Sequence, residues 1–156
     1  MTNPAVVATE ANVLALENQV CFALTVAART TVALYKPILE PLGLTHPQYL
    51  VMLALWEQHP RTLRSLADAL RLEPATLSPL LKRLEAIGYL RRERSTTDER
   101  ALQVTLTESG RDLRRIAETI PERVARTLEM SPESLIALRD SLTEVIRATT
   151  TATPKP

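Results

Sequence analysis

The sequence predicts a mainly α fold with a small β wing. Three observations lead there. Between Thr62 and Thr107, two amphipathic helical stretches separated by Arg71-Leu72-Glu73 run into a two-stranded hairpin whose second arm alternates. The 156 residues are 45% hydrophobic but only 3% aromatic, so the core is aliphatic and suits packed helices. The stretches on either side carry longer apolar stripes than so small a module can cover. The expected organisation is one domain. A winged helix-turn-helix at 61–107 lies between flanking helices at 1–60 and 108–148, which pair with a second copy. A disordered tail at 149–156 closes the chain.

The module is read residue by residue. Leu66, Ala67 and Leu70 form one edge of a short first helix. Pro74 suits the first turn of the second, where its missing N–H costs nothing. In that second helix Leu77, Leu80, Leu81, Leu84 and Ile87 make a single stripe, and Gly88 stops it. Opposite the stripe lie Thr76, Ser78, Lys82, Arg83 and Glu85. Hydroxyls near a helix start reach base edges, and Lys and Arg reach bases or phosphates. Alone, such a face is ordinary solvated surface.

The hairpin shifts the balance to double-stranded DNA. Its arms are Leu90–Arg94 and Ala101–Leu106, with Gln103 and Thr105 alternating against Leu102, Val104 and Leu106. The tip, 95–100, holds no apolar residue. Arg100 on that tip suits a narrow minor groove, with Asp98 placed to hold it. The charge distribution agrees. Residues 1–59 carry two Lys/Arg against four Asp/Glu, 60–100 carry nine against six, and 101–156 carry eight of each, although the whole chain is only +1.

Composition excludes other classes. One cysteine, Cys21, permits no disulfide within the chain, and with only His46 and His59 beside it no Cys-based zinc site. Three glycines leave little room for phosphate-binding loops, and no cofactor is expected. No apolar run is long enough for a membrane, and the start lacks a secretion pattern, so a cytoplasmic protein is expected. A thiol peroxidase would call for a second cysteine and a strand-rich pattern, so no enzyme is expected.

The flanks follow in order. Met1 to Val13 reads as a frayed start turning helical near Ala11. Leu14 to about Leu39 is apolar on most sides, ended or kinked by Pro37, with Pro41 and Gly43 in the connection. Thr45 and Gln48 are spaced as a capping box for a helix running to about Gln58, with Pro47 in its first turn. Arg61-Thr62-Leu63 reads as a short strand joining the hairpin. Thr107 caps a helix with Leu113, Ile116, Ile120, Val124 and Leu128 on one face and a kink at Pro121. Ser131-Pro132 starts a last helix striped by Leu135, Leu138, Leu142 and Val145. Stripes on both flanks imply a twofold homodimer, and so a palindromic operator with half-sites about one DNA turn apart.

This arrangement resembles the MarR family of dimeric transcription regulators over nearly the whole chain. Asp98-Glu99-Arg100 followed by Leu106-Thr107-Glu108-Ser109-Gly110 is similar to that family's wing signature. The runs Leu16-Glu17-Asn18-Gln19-Val20-Cys21-Phe22, Tyr35-Lys36-Pro37, Pro47-Gln48-Tyr49-Leu50 and Thr76 to Glu85 resemble the organic-hydroperoxide-sensing OhrR group. The resemblance implies a repressor in which an organic hydroperoxide oxidises the Cys21 thiolate to a sulfenic acid. A small thiol then caps it, and the dimer leaves its operator. It implies that Tyr35 hydrogen-bonds the thiolate of the partner subunit, with His46 where the group has another tyrosine. It also implies a DNA-contacting set of Thr76, Ser78, Pro79, Lys82, Arg83, Arg94, Asp98 and Arg100. Thr25 replaces a further tyrosine of the group and is expected to bond back to the Cys21 carbonyl. Glu73-Pro74-Ala75 departs from the group's helix start. A peroxide pocket lined by Phe22, Leu24 and Met52 is expected. The alternative is a MarR-type repressor released by a small aromatic or phenolic ligand, with Cys21 a packed thiol.

Overall fold

The structure is a computed structural model that describes residues 12–98 and 100–152. The expected helical start at Ala11 lies outside these residues. From Asn12 to Ala15 the chain is not helical, and a 3-10 turn at Leu16–Asn18 leads into α1, Val20–Leu39. The helix therefore begins later than its apolar pattern suggests. Gln19 is the reason: its side-chain amide donates to the carbonyls of Val13, at 2.8 Å, and Ala15, at 3.2 Å. Pro37 does not end α1. The reversal comes at Gly43, whose φ of 70° closes a second 3-10 turn, Glu40–Leu42.

Helix α2, His46–Glu57, starts as its sequence predicts, with the Thr45 N–H donating to Gln48 Oε1 at 2.9 Å. Its Gln48, Tyr49, Val51, Met52, Ala54 and Leu55 are all buried. Apolar on nearly every side, it packs against α1, α3 (Leu63–Leu70), α4 (Pro74–Ile87) and α5 (Glu108–Ala117). A boundary at residue 60 thus does not separate two cores: α2 belongs to the core of the winged module.

Thr62 caps α3 by accepting the Ser65 N–H at 3.1 Å, and Gly88, at φ 94°, ends α4. Three strands, β1 (Arg61–Thr62), β2 (Leu90–Arg94) and β3 (Leu102–Leu106), form an antiparallel sheet in the order β1-β3-β2. The short strand expected at Arg61-Thr62 is there, pairing with Val104 and Gln103. Leu66, Leu77, Leu81, Leu84, Leu90 and Val104 meet Met52 and Leu55 in an aliphatic core.

Thr107 caps α5 through the Gly110 N–H. Gly110 lies so close to the wing root that a Cβ there would stand 1.9 Å from the Tyr89 carbonyl oxygen. Its own carbonyl accepts the Trp56 indole N–H at 2.8 Å. Pro121 does more than kink the following helix. A new helix, α6 (Ile120–Leu128), starts there, with the proline in its first turn. Helix α7 spans Pro132–Ala152 and begins at Ser131, whose hydroxyl accepts the Ser134 N–H. The tail expected from Thr149 is corrected here, because α7 continues to Ala152. The Thr150 and Thr151 hydroxyls donate to carbonyls one turn back, and Arg71 reaches the Thr150 hydroxyl at 3.2 Å. Residues 153–156 lie outside the described residues. No described helix is long and apolar enough to cross a membrane.

Candidate DNA interface and thiol site

The sequence-predicted DNA contacts lie on α4 and on the wing of the same module, and all are exposed. Leu77, Leu81 and Leu84 hold the inner side of α4 in the core, which turns Thr76, Ser78, Pro79, Lys82 and Arg83 outward. All five are exposed. Pro79 lies inside the helix and gives the Ala75 carbonyl no N–H, a vacancy tolerated on a wet face. On the wing, Arg94, Asp98 and Arg100 are exposed as well. Lys82, Arg83, Arg94 and Arg100 form no ion pair with a described residue, so their charge is available to an outside partner.

The tip is shaped by its own short side chains. Ser95 is buried, its N–H donates to the Ala101 carbonyl, and its hydroxyl accepts from the Thr97 and Asp98 N–H groups. Asp98 holds Arg100 through its backbone and not through the guanidinium. Its carboxylate accepts the Arg100 backbone N–H at 3.0 Å, which fixes the turn and leaves the side chain outward. The periodicity also gave no sign of a tie between helix and wing: Glu85 accepts the Arg92 backbone N–H at 2.9 Å and its guanidinium at 2.7 and 2.8 Å. These bonds from Arg92 hold the Glu85 carboxyl below its ordinary range.

Cys21 is exposed in the first turn of α1. Thr25 Oγ1 donates to the Cys21 carbonyl at 2.8 Å, as its spacing predicts. Tyr35 shares that helix, and at 1.5 Å rise per residue it stands about 21 Å further along. One chain therefore does not bring Cys21 and Tyr35 together. It does bring Tyr35 and His46 together, ring centroids 4.8 Å apart and edge to face, with Tyr49 at 5.8 and 6.4 Å from them. Burial raises the pKa of the Tyr35 and Tyr49 phenols and lowers that of the His46 imidazole, so at neutral pH His46 is an uncharged ring. The expected pocket of Phe22, Leu24 and Met52 does not form. Met52 is fully buried in the core while Phe22 is exposed.

Two concavities adjoin the ring cluster. One, of about 600 Å³, runs from Val32 and Leu39 past His46 and Pro47 to Arg83, with Arg29 and Lys36 at its edge. The other, of about 730 Å³, is an apolar trough between α1, α6 and α7 that includes Tyr35, Leu128, Leu138 and Ile146. Among the described residues no cluster of His, Cys, Asp and Glu suits a metal.

Comparison with known proteins agrees with this layout. The family model for the transcriptional regulator SarA/Rot matches residues 33–115. The organic hydroperoxide resistance transcriptional regulator of Bacillus subtilis is 41% identical over 127 residues, covering 81% of this chain and 86% of that protein. Reduced AbfR bound to DNA superposes with a TM-score of 0.72 at 34% identity, covering 86% of this chain and 94% of that one; AbfR comes from Staphylococcus epidermidis. The transcriptional repressor CouR bound to a 23-mer DNA duplex superposes at 0.78 with 25% identity, covering 86% and 96%. With its winged helix, its outward cations and these relatives, the chain belongs to the MarR-type family of winged-helix transcriptional regulators, in the branch that holds the organic hydroperoxide resistance regulator.

Proposed function

We propose that this protein is a cytoplasmic, homodimeric repressor that leaves its operator when an organic hydroperoxide oxidises Cys21. The observation that carries the reading is a lone, exposed thiol at the start of α1, in a chain 41% identical to an organic hydroperoxide resistance regulator. The dimer is supported by the uncovered apolar side chains of both flanks. Leu16 and Val20 before and in α1, and Ile136, Leu138, Val145 and Ile146 in α7, are all exposed, and no α7 residue is fully buried within its own chain. In a twofold arrangement the second copy covers these faces and the trough between α1, α6 and α7. Cys21 and Tyr35 lie on the same side of α1, four turns apart. Antiparallel pairing of α1 with its counterpart would set one chain's thiol beside the other chain's Tyr35 and His46. There the phenol and the neutral imidazole serve as hydrogen-bond donors to the thiolate.

The signal chemistry balances simply. The Cys21 thiolate attacks one peroxide oxygen, an S–O bond forms, the O–O bond breaks, and the alkoxide leaves as an alcohol after taking a proton. The resulting sulfenic acid reacts with a small thiol, giving a mixed disulfide and water. On DNA, Thr76, Ser78 and Pro79 at the start of α4 approach base edges, Lys82 and Arg83 bind phosphate or base, and Arg94 and Arg100 extend to the neighbouring groove with Asp98 holding the tip.

The test is binding of the reduced protein to its own upstream DNA at fixed salt, then addition of cumene hydroperoxide with a small thiol. Expected are tight binding, release on oxidation, a mass increase of one thiol on Cys21, and no release in Cys21→Ser. A second reading is favoured by the concavity beside His46, whose apolar floor and Arg29, Lys36 and Arg83 suit a small aromatic acid or phenol. Release of Cys21→Ser by such a compound, with peroxide inert on the unaltered protein, would put that reading first.

A further inference from the structure

We infer that Glu85 and Arg92 form a clamp that sets the angle between the recognition helix α4 and the wing, and so the register in which the two meet DNA. This rests on the DNA-binding reading above. The root of the wing is pinned by other means. Leu90 is in the core, the Thr107 hydroxyl donates to the Gly88 carbonyl at 2.5 Å, and the Tyr89 hydroxyl donates to the Leu42 carbonyl at 2.8 Å. Beyond Leu90 the outer side of the sheet has no neighbouring strand, because β2 is an edge. The Arg92 N–H on that edge is satisfied by Glu85 Oε1, and the guanidinium closes on Oε2. Past this point Glu93, Arg94 and the tip through Asp98 have no hydrogen bond to α4 among the described residues. The clamp is thus the outermost fixed point between the cations of α4, Lys82 and Arg83, and the wing cations Arg94 and Arg100.

The pairing has a second consequence. A carboxylate three residues from Lys82 on a helix would ordinarily pair with it. Turned toward Arg92 instead, Glu85 leaves Lys82 free for phosphate and has its own charge neutralised beside the DNA face. Glu85 is therefore a positioning residue, acting through the wing and not by touching the duplex.

Charge counting and positioning predict opposite signs. Glu85→Ala removes a negative charge near DNA and leaves Arg92 as a free cation, so charge alone would tighten binding. A clamp predicts that operator binding weakens about tenfold, equivalent to about 1.4 kcal/mol, with Glu85→Gln in between. The loss should shrink sharply when Arg100→Ala is already present, because a wing that makes no contact has no register to lose. Amide exchange reads the tether directly: the Arg92 N–H should exchange faster in Glu85→Ala while core amides on Leu66 and Leu81 keep their protection. Equal or tighter binding by Glu85→Ala, or full additivity with Arg100→Ala, would overturn the clamp alone. Failure of the unaltered protein to bind its upstream DNA would overturn the DNA-binding reading and the clamp's role with it, whatever the exchange shows.

Discussion

The winged half and the helical flanks are built by different rules. In the winged half, α2 to α5 and the sheet satisfy one another within the chain: Leu55, Leu66, Leu77, Leu81, Leu84 and Val104 are each fully buried. In the flanks, α1 buries only Leu39 and α7 buries no residue, although they are the two longest helices among the described residues. The difference teaches where the signal can act. Under the proposed function, the self-sufficient module would carry the DNA-reading surface, and the flanks left uncovered in one chain would place the thiol chemistry at a junction between two copies. Cys21 lies in the second kind of region and Arg83 in the first, and the concavity from Arg29 to Arg83 runs between them.

The sharpest way to break this contrast is to charge the flank. Ile136→Glu with Val145→Glu should yield a monomer by sedimentation, with the winged core still folded, and should weaken binding to a palindromic operator by about 10²-fold or more, since both half-sites are no longer engaged together. A variant that stays dimeric would move the interface elsewhere. The core is tested by Leu66→Ala, expected to cost about 2–5 kcal/mol in denaturant unfolding. The same truncation at Leu138, half exposed in one chain, should cost much less in a dilute monomer and should acquire its cost only as concentration drives pairing. Gly110→Ala belongs with the core variants, because its methyl would enter the space of the Tyr89 carbonyl and push the wing root off α5.

A smaller effect is expected on the DNA face itself. Arg100→Ala should weaken operator binding about tenfold while leaving thermal stability unchanged, since its side chain pairs with nothing described; a gel shift across a salt series checks it. The smallest effect is in the pH response of stability. Burial lowers the His46 pKa, so the unfolded chain binds that proton more readily than the folded one. The corresponding stability is present above the unfolded value, near 6.5, and fades as pH falls through the lower folded value. His46→Phe should flatten the stability profile between pH 7 and the acid side without changing its neutral level much. An unchanged slope would show that some other group carries the titration.

What the sequence determined is local. The Thr45–Gln48 capping box, the stop at Gly88, the caps Thr107 and Ser131, the α4 stripe and the period-2 arm of the wing are each settled within a few residues, so they are legible one stretch at a time. The outward set from Thr76 to Arg100 follows from them, because burying one face of a helix necessarily exposes the other. What tertiary structure decided spans distant residues. Local pattern does not tell that α2 is packed by α1, α3, α4 and α5 while Leu50 and Leu53 stay exposed, that Gly110 must be bare for Tyr89, or that Tyr35 meets His46. Nor does it tell that Glu85 turns to Arg92 and not to Lys82, or that Met52 is spent in the core and cannot line a peroxide pocket. In each case the deciding partner is distant in sequence, and only the packed fold says which one is within reach.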